Sequence, residues 1–131
     1  MKTRAAPPKS SPRAAPDPGA VVGKAALRAA ERLGVTGKAL ARIIGLSEPT
    51  LSRLKKGAYR LEPDQKSCEL ALLFVRLYRS LDAIVDGDDA VAAAWLRNEN
   101  AALAGTPLAL IQSVAGLTAV IAYLDARRAL V

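Results

Sequence analysis

The stretch that most constrains the fold runs from residue 37 to residue 57, GKALARIIGLSEPTLSRLKKG. Apolar residues recur at helical spacing before and after Gly45, and glycine tolerates the positive φ that a tight turn requires. Ala41, four residues earlier, is small enough for two helices to cross closely. Leu51 and Leu54 give the second helix an apolar side that packs on the first. The spacing predicts a helix-turn-helix.

The outward face of the second helix carries hydroxyl groups and cations. Ser47 is expected to cap this helix, with Pro49 in its first turn and Gly57 at its end. Two helices of any small bundle would show the same apolar spacing, but that interpretation leaves unexplained an outer face suited to phosphates and base edges. Arg53 is the expected base contact, because a guanidinium can donate two hydrogen bonds to guanine. The predicted DNA-binding residues are Ser47, Glu48, Thr50, Ser52, Arg53, Lys55, Lys56, Lys38 and Arg60.

Positive charge is concentrated before residue 67. Residues 1–18 hold four cations and one anion, residues 19–66 hold ten and four, and residues 67–131 hold five and seven. A basic block attracts a polyanion whatever its sequence, because bound counterions are released. The N-terminal half is therefore expected to bind nucleic acid, and the acidic, apolar C-terminal half is expected to serve another purpose.

The residue types in the chain limit the fold class and the kinds of chemistry that the protein can perform. Helix formers dominate and the alternation typical of strands is absent, so an all-α fold is predicted. With no histidine and one cysteine, Cys68, the chain offers no internal disulfide, no usual zinc site and no histidine base. These features favour a reducing, cytoplasmic setting. No cofactor or metal is predicted.

The N-terminal segments are predicted to be an arm and a supporting helix. Residues 1–18 carry five prolines among Ala, Ser, Lys and Arg, which is typical of a disordered basic arm. The arm either adds phosphate contacts or only aids solubility, and it lacks the apolar core of a signal peptide. Residues 19–33 have one apolar helical face and one face bearing Lys24, Arg28 and Arg32. This segment is expected to support the helix-turn-helix.

Pro63 is expected to open a long helix that ends near Val85. Its apolar residues cover more than one stripe, so one neighbouring helix does not bury them all. Either the C-terminal half folds back on both sides of this helix, or a second subunit covers the remainder. A homodimer is predicted on this basis. Cys68, within this helix, is expected to be a buried small hydrophobe.

Two features of the C-terminal half suggest a calcium site and a membrane span, but the residues present argue against both. Residues 86–89, DGDD, resemble the start of a calcium loop, but Ala90 stands where the next oxygen ligand is needed. A turn followed by an N-cap is predicted instead. The apolar run of residues 108–124 is shorter than the roughly 20 residues of a membrane span and is interrupted by polar residues. Two short buried helices, separated by a break near Ala115-Gly116, are predicted instead of a membrane span.

The C-terminal half also resembles a known family. The positions that carry the resemblance are Trp95, Leu96, Asn100, Leu103, Gly105, Thr106, Pro107, Leu108, Gly116, Val120 and Leu124. They look like the signature of the Xre/MbcA/ParS-type toxin-binding domain, and with the Xre-like helix-turn-helix the resemblance covers residues from about 19 to 128. Ala104 stands where that family commonly has a second glycine. The resemblance implies a bacterial type II antitoxin that dimerises, blocks a toxin, usually a NAD-consuming RES-domain protein, and represses its own operon.

The predicted organisation is an arm at residues 1–18, a helix-turn-helix module at 19–61 and a toxin-binding and dimerisation domain at 62–131. Toxin contacts are expected near the end of the last helix, since tyrosine and arginine often dominate interfaces. The alternative is a repressor whose C-terminal half only dimerises or binds a ligand. No arrangement of nucleophile, base and orienting group predicts an enzyme. The predicted toxin-binding residues are Tyr123, Arg127, Arg128 and Leu130, and the predicted structural residues are Ala41, Gly45, Leu51, Leu54, Trp95, Gly105, Pro107 and Gly116.

Overall fold

A computed structural model of the chain describes residues 17–130. The predicted arm therefore lies outside the described residues, except for Asp17 and Pro18. The described part is built from helices and contains a single isolated bridge, between Asn100 and Gly105. The all-α prediction is confirmed. The helices are α1 (Pro18–Leu33), α2 (Gly37–Ile44), α3 (Glu48–Lys55), α4 (Lys66–Ile84), α5 (Asp89–Arg97), α6 (Pro107–Leu110) and α7 (Val114–Arg128).

The helix-turn-helix forms as the local signals predict. Gly45 ends α2 with a φ of 76°, a conformation that glycine adopts without strain. Ser47 caps α3, its Oγ accepting a hydrogen bond from the Thr50 backbone N–H at 3.2 Å. Leu51 and Leu54 are buried. The outer face of α3 is therefore left for other contacts.

α4 is the central helix, and it is covered by the chain itself. α1 and α2 pack against it, and α7 packs against it from the C-terminal half. Leu72 remains 56% exposed. The apolar surface that motivates the predicted homodimer is thus covered by α1 and α2 together with α7, and the homodimer stays a prediction.

α4 begins at Lys66, so the predicted start at Pro63 is wrong. The preceding residues form a turn in which the Gln65 N–H donates to the Glu62 carbonyl at 3.0 Å. The Gln65 side-chain oxygen in turn accepts from the Glu62 N–H, also at 3.0 Å. These two hydrogen bonds keep residues 62–65 in a turn outside α4. Cys68 is buried as predicted, and burial raises the pKa of its thiol.

The predicted helix break near Ala115-Gly116 is also misplaced, because α6 ends at Leu110 and α7 begins at Val114. Ser113 caps α7, its Oγ accepting from the Gly116 N–H at 3.0 Å. Gly116 lies inside α7, and a Cβ on it would come within 1.8 Å of the Leu110 carbonyl oxygen. Glycine is therefore needed for close approach rather than for a break. No helix in residues 17–130 is long and apolar enough to cross a membrane.

The predicted acidic turn is confirmed. Asp86 and Gly87 adopt φ angles of 54° and 79°. Asp88 then caps α5, its Oδ1 accepting from the backbone N–H groups of Ala90 at 3.1 Å and Val91 at 3.2 Å. The acidic residues are thus explained by local structure, and among the described residues no group of three or more His, Cys, Asp or Glu side chains could hold a metal ion.

One hydrophobic core extends through both predicted domains. Phe74 and Leu77 of α4 are fully buried in a cluster that also includes Leu33 of α1 and Leu124 of α7. Polar contacts add to this continuity, since Arg97 donates from Nη2 to the Gly34 carbonyl at 2.9 Å. The predicted division at residues 61 and 62 stays a prediction, and α4 contributes to the packing of both sides.

Candidate nucleic-acid and partner-binding surfaces

The N-cap residue of α3 and two side chains on the helix form a short hydrogen-bonded chain. Ser47 donates from Oγ to Thr50 Oγ1 at 2.8 Å, and Arg53 donates from Nη2 to the same oxygen at 3.1 Å. A guanidinium has five N–H donors, so most of those on Arg53 remain free for a ligand. The hydrogen bond to Thr50 favours one orientation of this exposed side chain, which reduces the conformational entropy lost on binding.

A cleft of about 190 Å³ lies between the first turn of α2 and the outer face of α3. Lys38 and Lys55 contribute its cations, and Glu48 and Ser52 lie between them in the same lining. Lys55 Nζ is 2.9 Å from the point that a Cβ on Gly37 would occupy. The ammonium therefore lies at the start of α2, where the helix dipole is also positive. The Lys55 ammonium and the positive end of the α2 dipole together favour the binding of an anion.

The remaining predicted DNA-binding residues differ in their surroundings. Lys56 is exposed at the end of α3, and no ion pair involves it within residues 17–130. Arg60 places its Nε 3.2 Å from Asp17 Oδ2, just before α1. The structure thus groups Lys38 and Lys55 with the α3 face, while Arg60 is held by an acidic side chain. DNA binding by each of these residues stays a prediction.

An aromatic cluster joins α5 to α7. The rings of Trp95 and Tyr123 stack with centroids 6.2 Å apart and planes 17° from parallel. Arg127 donates from Nη1 to the Tyr123 hydroxyl at 2.9 Å, and its Cζ lies 5.7 Å from the centre of that ring. A pocket of about 90 Å³ adjoins the cluster and includes Val91, which is half exposed. Apolar and cationic groups therefore meet at one accessible surface.

Trp95 has contacts on two sides. The sequence predicts that Trp95 and Pro107 hold the C-terminal domain together and that toxin contacts come from the last helix. Pro107 is buried, and Trp95 is partly buried, packing against the core and stacking on Tyr123. These structural roles stay predictions. A tryptophan followed 28 residues later by a tyrosine carries no local signal for such a pair. The aromatic cluster therefore had to be found from the structure.

Arg128 belongs to a separate network between α4 and α7. Its Nη1 lies 3.4 Å from the oxygen of the buried Ser80, which donates to Asp125 Oδ1 at 2.9 Å. Arg76 donates from Nη2 to Asp125 Oδ2 at 2.5 Å. The Ser80 hydrogen bond, followed by the hydrogen bond and the charge of Arg76, lowers the pKa of the Asp125 carboxyl below its ordinary value. Leu130, beyond this network, is 84% exposed.

The segment between α5 and α6, which includes Asn100, Leu103 and Gly105, forms a closed loop. Asn100 donates from its backbone N–H to the Gly105 carbonyl at 2.9 Å, and its Oδ1 accepts from the Leu103 N–H at 3.2 Å. Ala104 has a φ of 58°, a left-handed conformation that favours glycine. A Cβ on Gly105 would meet nothing closer than 3.6 Å, so space does not require glycine there. The motif residues in this loop maintain local structure.

The fold is that of a helix-turn-helix protein with an appended helical domain, and the molecule carries a basic face on α3 and an aromatic cluster between α5 and α7. Residues 12–76 match the model of the antitoxin Xre-like helix-turn-helix domain, and residues 80–129 match that of the antitoxin Xre/MbcA/ParS C-terminal toxin-binding domain. The chain therefore belongs to the Xre/MbcA/ParS-type antitoxin family. No curated protein matches it. The two matched segments meet within α4, the helix that both halves share.

Proposed function

We propose that this protein is the antitoxin of a bacterial type II toxin-antitoxin module. Its C-terminal half binds and neutralises a cognate toxin, and α3 binds operator DNA to repress its own operon. The proposed toxin is a RES-domain protein that consumes NAD. The antitoxin acts in the cytoplasm, as a homodimer, by binding rather than catalysis. The observation that carries the proposal is the presence of two accessible surfaces of different chemistry on one core.

The α3 face supplies the DNA-binding part of the proposal. Recognition helices of helix-turn-helix proteins enter the major groove. Arg53 donates to Thr50, and its remaining N–H groups would bond guanine, a contact worth roughly 1 to 3 kcal/mol of discrimination. Lys38 and Lys55 flank the cleft beside α3, where they favour phosphate. Arg53 would thus supply sequence preference, while the lysines would supply general affinity.

The aromatic cluster supplies the toxin-binding part. Tryptophan, tyrosine and arginine dominate the energetics of many interfaces, and Trp95, Tyr123 and Arg127 form one cluster in which Arg127 is exposed and both rings are partly buried. The adjoining pocket of about 90 Å³ suits one small apolar side chain of the toxin. Arg127 can meet a carboxylate, or occupy the region where a NAD-consuming toxin holds phosphates. Leu130 extends apolar surface beyond the end of α7.

The DNA-binding test compares Arg53→Ala with Arg79→Ala, a matched loss of one exposed arginine on α4. Affinity is measured for the DNA upstream of the gene and for a random duplex. Arg53→Ala is expected to lose roughly 5- to 150-fold of the preference for the upstream DNA. Arg79→Ala is expected to retain that preference. An equal loss of affinity for both duplexes in Arg53→Ala would make Arg53 a phosphate contact only.

The toxin-binding test uses the full chain, because removing α1 and α2 would expose the sides of α4 that they cover. The gene adjacent to the antitoxin gene is expressed with and without the antitoxin. Growth arrest that the wild-type antitoxin relieves, through a complex that co-purifies, is the expected result. A neighbouring protein that is harmless alone and does not bind would favour the alternative of a repressor whose C-terminal half only dimerises or binds a ligand.

A further inference from the structure

A second cleft, of about 600 Å³, lies on the side of Lys55 facing α1. Lys24 and Arg28 of α1 line it together with Lys55 of α3, so its cations come from two helices. Its apolar lining includes Leu27 and Leu40. Lys24 and Arg28 are not among the DNA-binding residues that the sequence predicts, since their segment is expected only to support the helix-turn-helix.

The two clefts adjoin each other. Gly37 and Lys55 line both of them, so they form a shared wall between the α3 face and α1. Positive side chains therefore follow one another from Lys38 through Lys55 to Lys24 and Arg28. We call this series the basic strip. It begins at the face that the proposed function assigns to DNA and continues beyond the helix-turn-helix.

The charge of the basic strip is only partly offset, since its four cations share the two clefts with two carboxylates, Glu31 and Glu48. Within residues 17–130 none of its four members forms an ion pair. Glu31 is the carboxylate in the lining of the larger cleft. Lys24 and Arg28 stand four residues apart on α1, and like charges at that spacing destabilise a helix by a few tenths of a kcal/mol. A bound polyanion would remove this repulsion.

We propose that the basic strip follows the phosphate backbone of one DNA strand, so that α1 extends the DNA-binding site. The inference rests on the proposed function and deepens it. Lys24 and Arg28 contact phosphates at the outer edge of each half-site, beyond those near Lys38 and Lys55. Continuity with the α3 face favours a DNA strand over a separate small anion. Phosphate contacts add affinity without adding sequence preference.

The test measures binding against salt concentration for Lys24→Gln/Arg28→Gln. The control is Lys66→Gln/Arg79→Gln, which removes the same two charges from exposed positions on α4. Each phosphate contact contributes about 0.9 to the slope of log K against log salt. The slope of the α1 variant is expected to fall by about 1.8 on both upstream and random duplexes, with their affinity ratio unchanged. The control is expected to retain the wild-type slope.

Phosphate ethylation of the upstream duplex identifies which phosphates Lys24 and Arg28 contact. Ethylation of the outermost phosphates is expected to weaken binding of wild type but not of the α1 variant. A slope equal to that of the α4 control, with the same ethylation pattern as wild type, would overturn the inference and leave the proposed function standing. A wild-type protein that binds neither duplex would overturn both. Unchanged circular dichroism and melting temperature confirm that the variants remain folded.

Discussion

Arg127 and Arg128 are adjacent in sequence but contact different parts of the molecule. Arg127 donates to the Tyr123 hydroxyl at 2.9 Å, whereas Arg128 reaches the Ser80 oxygen on α4 at 3.4 Å. Successive residues of an α-helix are rotated by about 100°, so neighbouring side chains leave the helix toward different partners. The two arginines, predicted as one toxin-binding pair, are therefore expected to have separable roles.

The first prediction tests the separate roles of Arg127 and Arg128 by single substitutions. Arg127→Glu removes a cation from the aromatic cluster and places an anion there, so toxin affinity is expected to fall by roughly 30-fold or more. Arg128→Glu places a carboxylate near Asp125, so it is expected to lower the melting temperature and to leave toxin affinity nearly unchanged. Calorimetric titration with the toxin and thermal unfolding measure the two effects. Loss of toxin binding by Arg128→Glu at unchanged melting temperature would reverse the assignment.

A second prediction concerns Gly116. A Cβ at this position would lie 1.8 Å from the Leu110 carbonyl oxygen, a backbone atom that cannot rotate away. Gly116→Ala is expected to lower the free energy of unfolding by about 3 kcal/mol, because α6 and α7 must separate. Gly105→Ala is the matched control, with its nearest contact at 3.6 Å, and is expected to change stability by less than about 1 kcal/mol. Urea denaturation measures both, and equal effects would contradict the packing argument.

A third prediction concerns the left-handed residue Ala104. Its φ of 58° strains a residue that has a Cβ, by roughly 1 to 2 kcal/mol. Ala104→Gly relieves this strain but increases the entropy of the unfolded chain, so a net gain of about 0.5 kcal/mol is expected. Ala102→Gly, at a neighbouring exposed position without positive φ, is expected to be destabilising. A lower melting temperature for Ala104→Gly than for the wild type would show that this turn is not strained.

The fourth prediction concerns acid unfolding. Hydrogen bonds from Ser80 and Arg76 depress the pKa of Asp125 in the folded state. A depressed carboxyl pKa stabilises the fold above the unfolded value near 4, and this stability is lost as pH falls through the lower folded value. Asp125→Asn is therefore expected to be less stable at pH 7 and to lose less stability between pH 7 and pH 3. Denaturation at both pH values, with Asp86→Asn as the control, measures the difference.

Local signals in the sequence predicted local structure well. Gly45, Ser47 and Asp88 form the turn and caps assigned to them, because each acts through backbone groups within a few residues. The burial of Leu51 and Leu54 followed from helical periodicity. Positions governed by distant contacts were harder to predict. A local interpretation made Gly116 a helix break, while the structure places it where α6 meets α7.

The helix-turn-helix, the all-α class and the concentration of positive charge before residue 67 can all be read from the amino-acid sequence alone. These follow from residue identity and from interactions within about one helical turn. Which side chains share a surface depends instead on how the helices pack. Trp95 meets Tyr123, and Lys55 joins Lys24, only because separate helices pack together. Ser80 and Arg128 are 48 residues apart, and no short-range pattern encodes their contact. The packing of α1, α5 and α7 around the shared α4 core sets those distances.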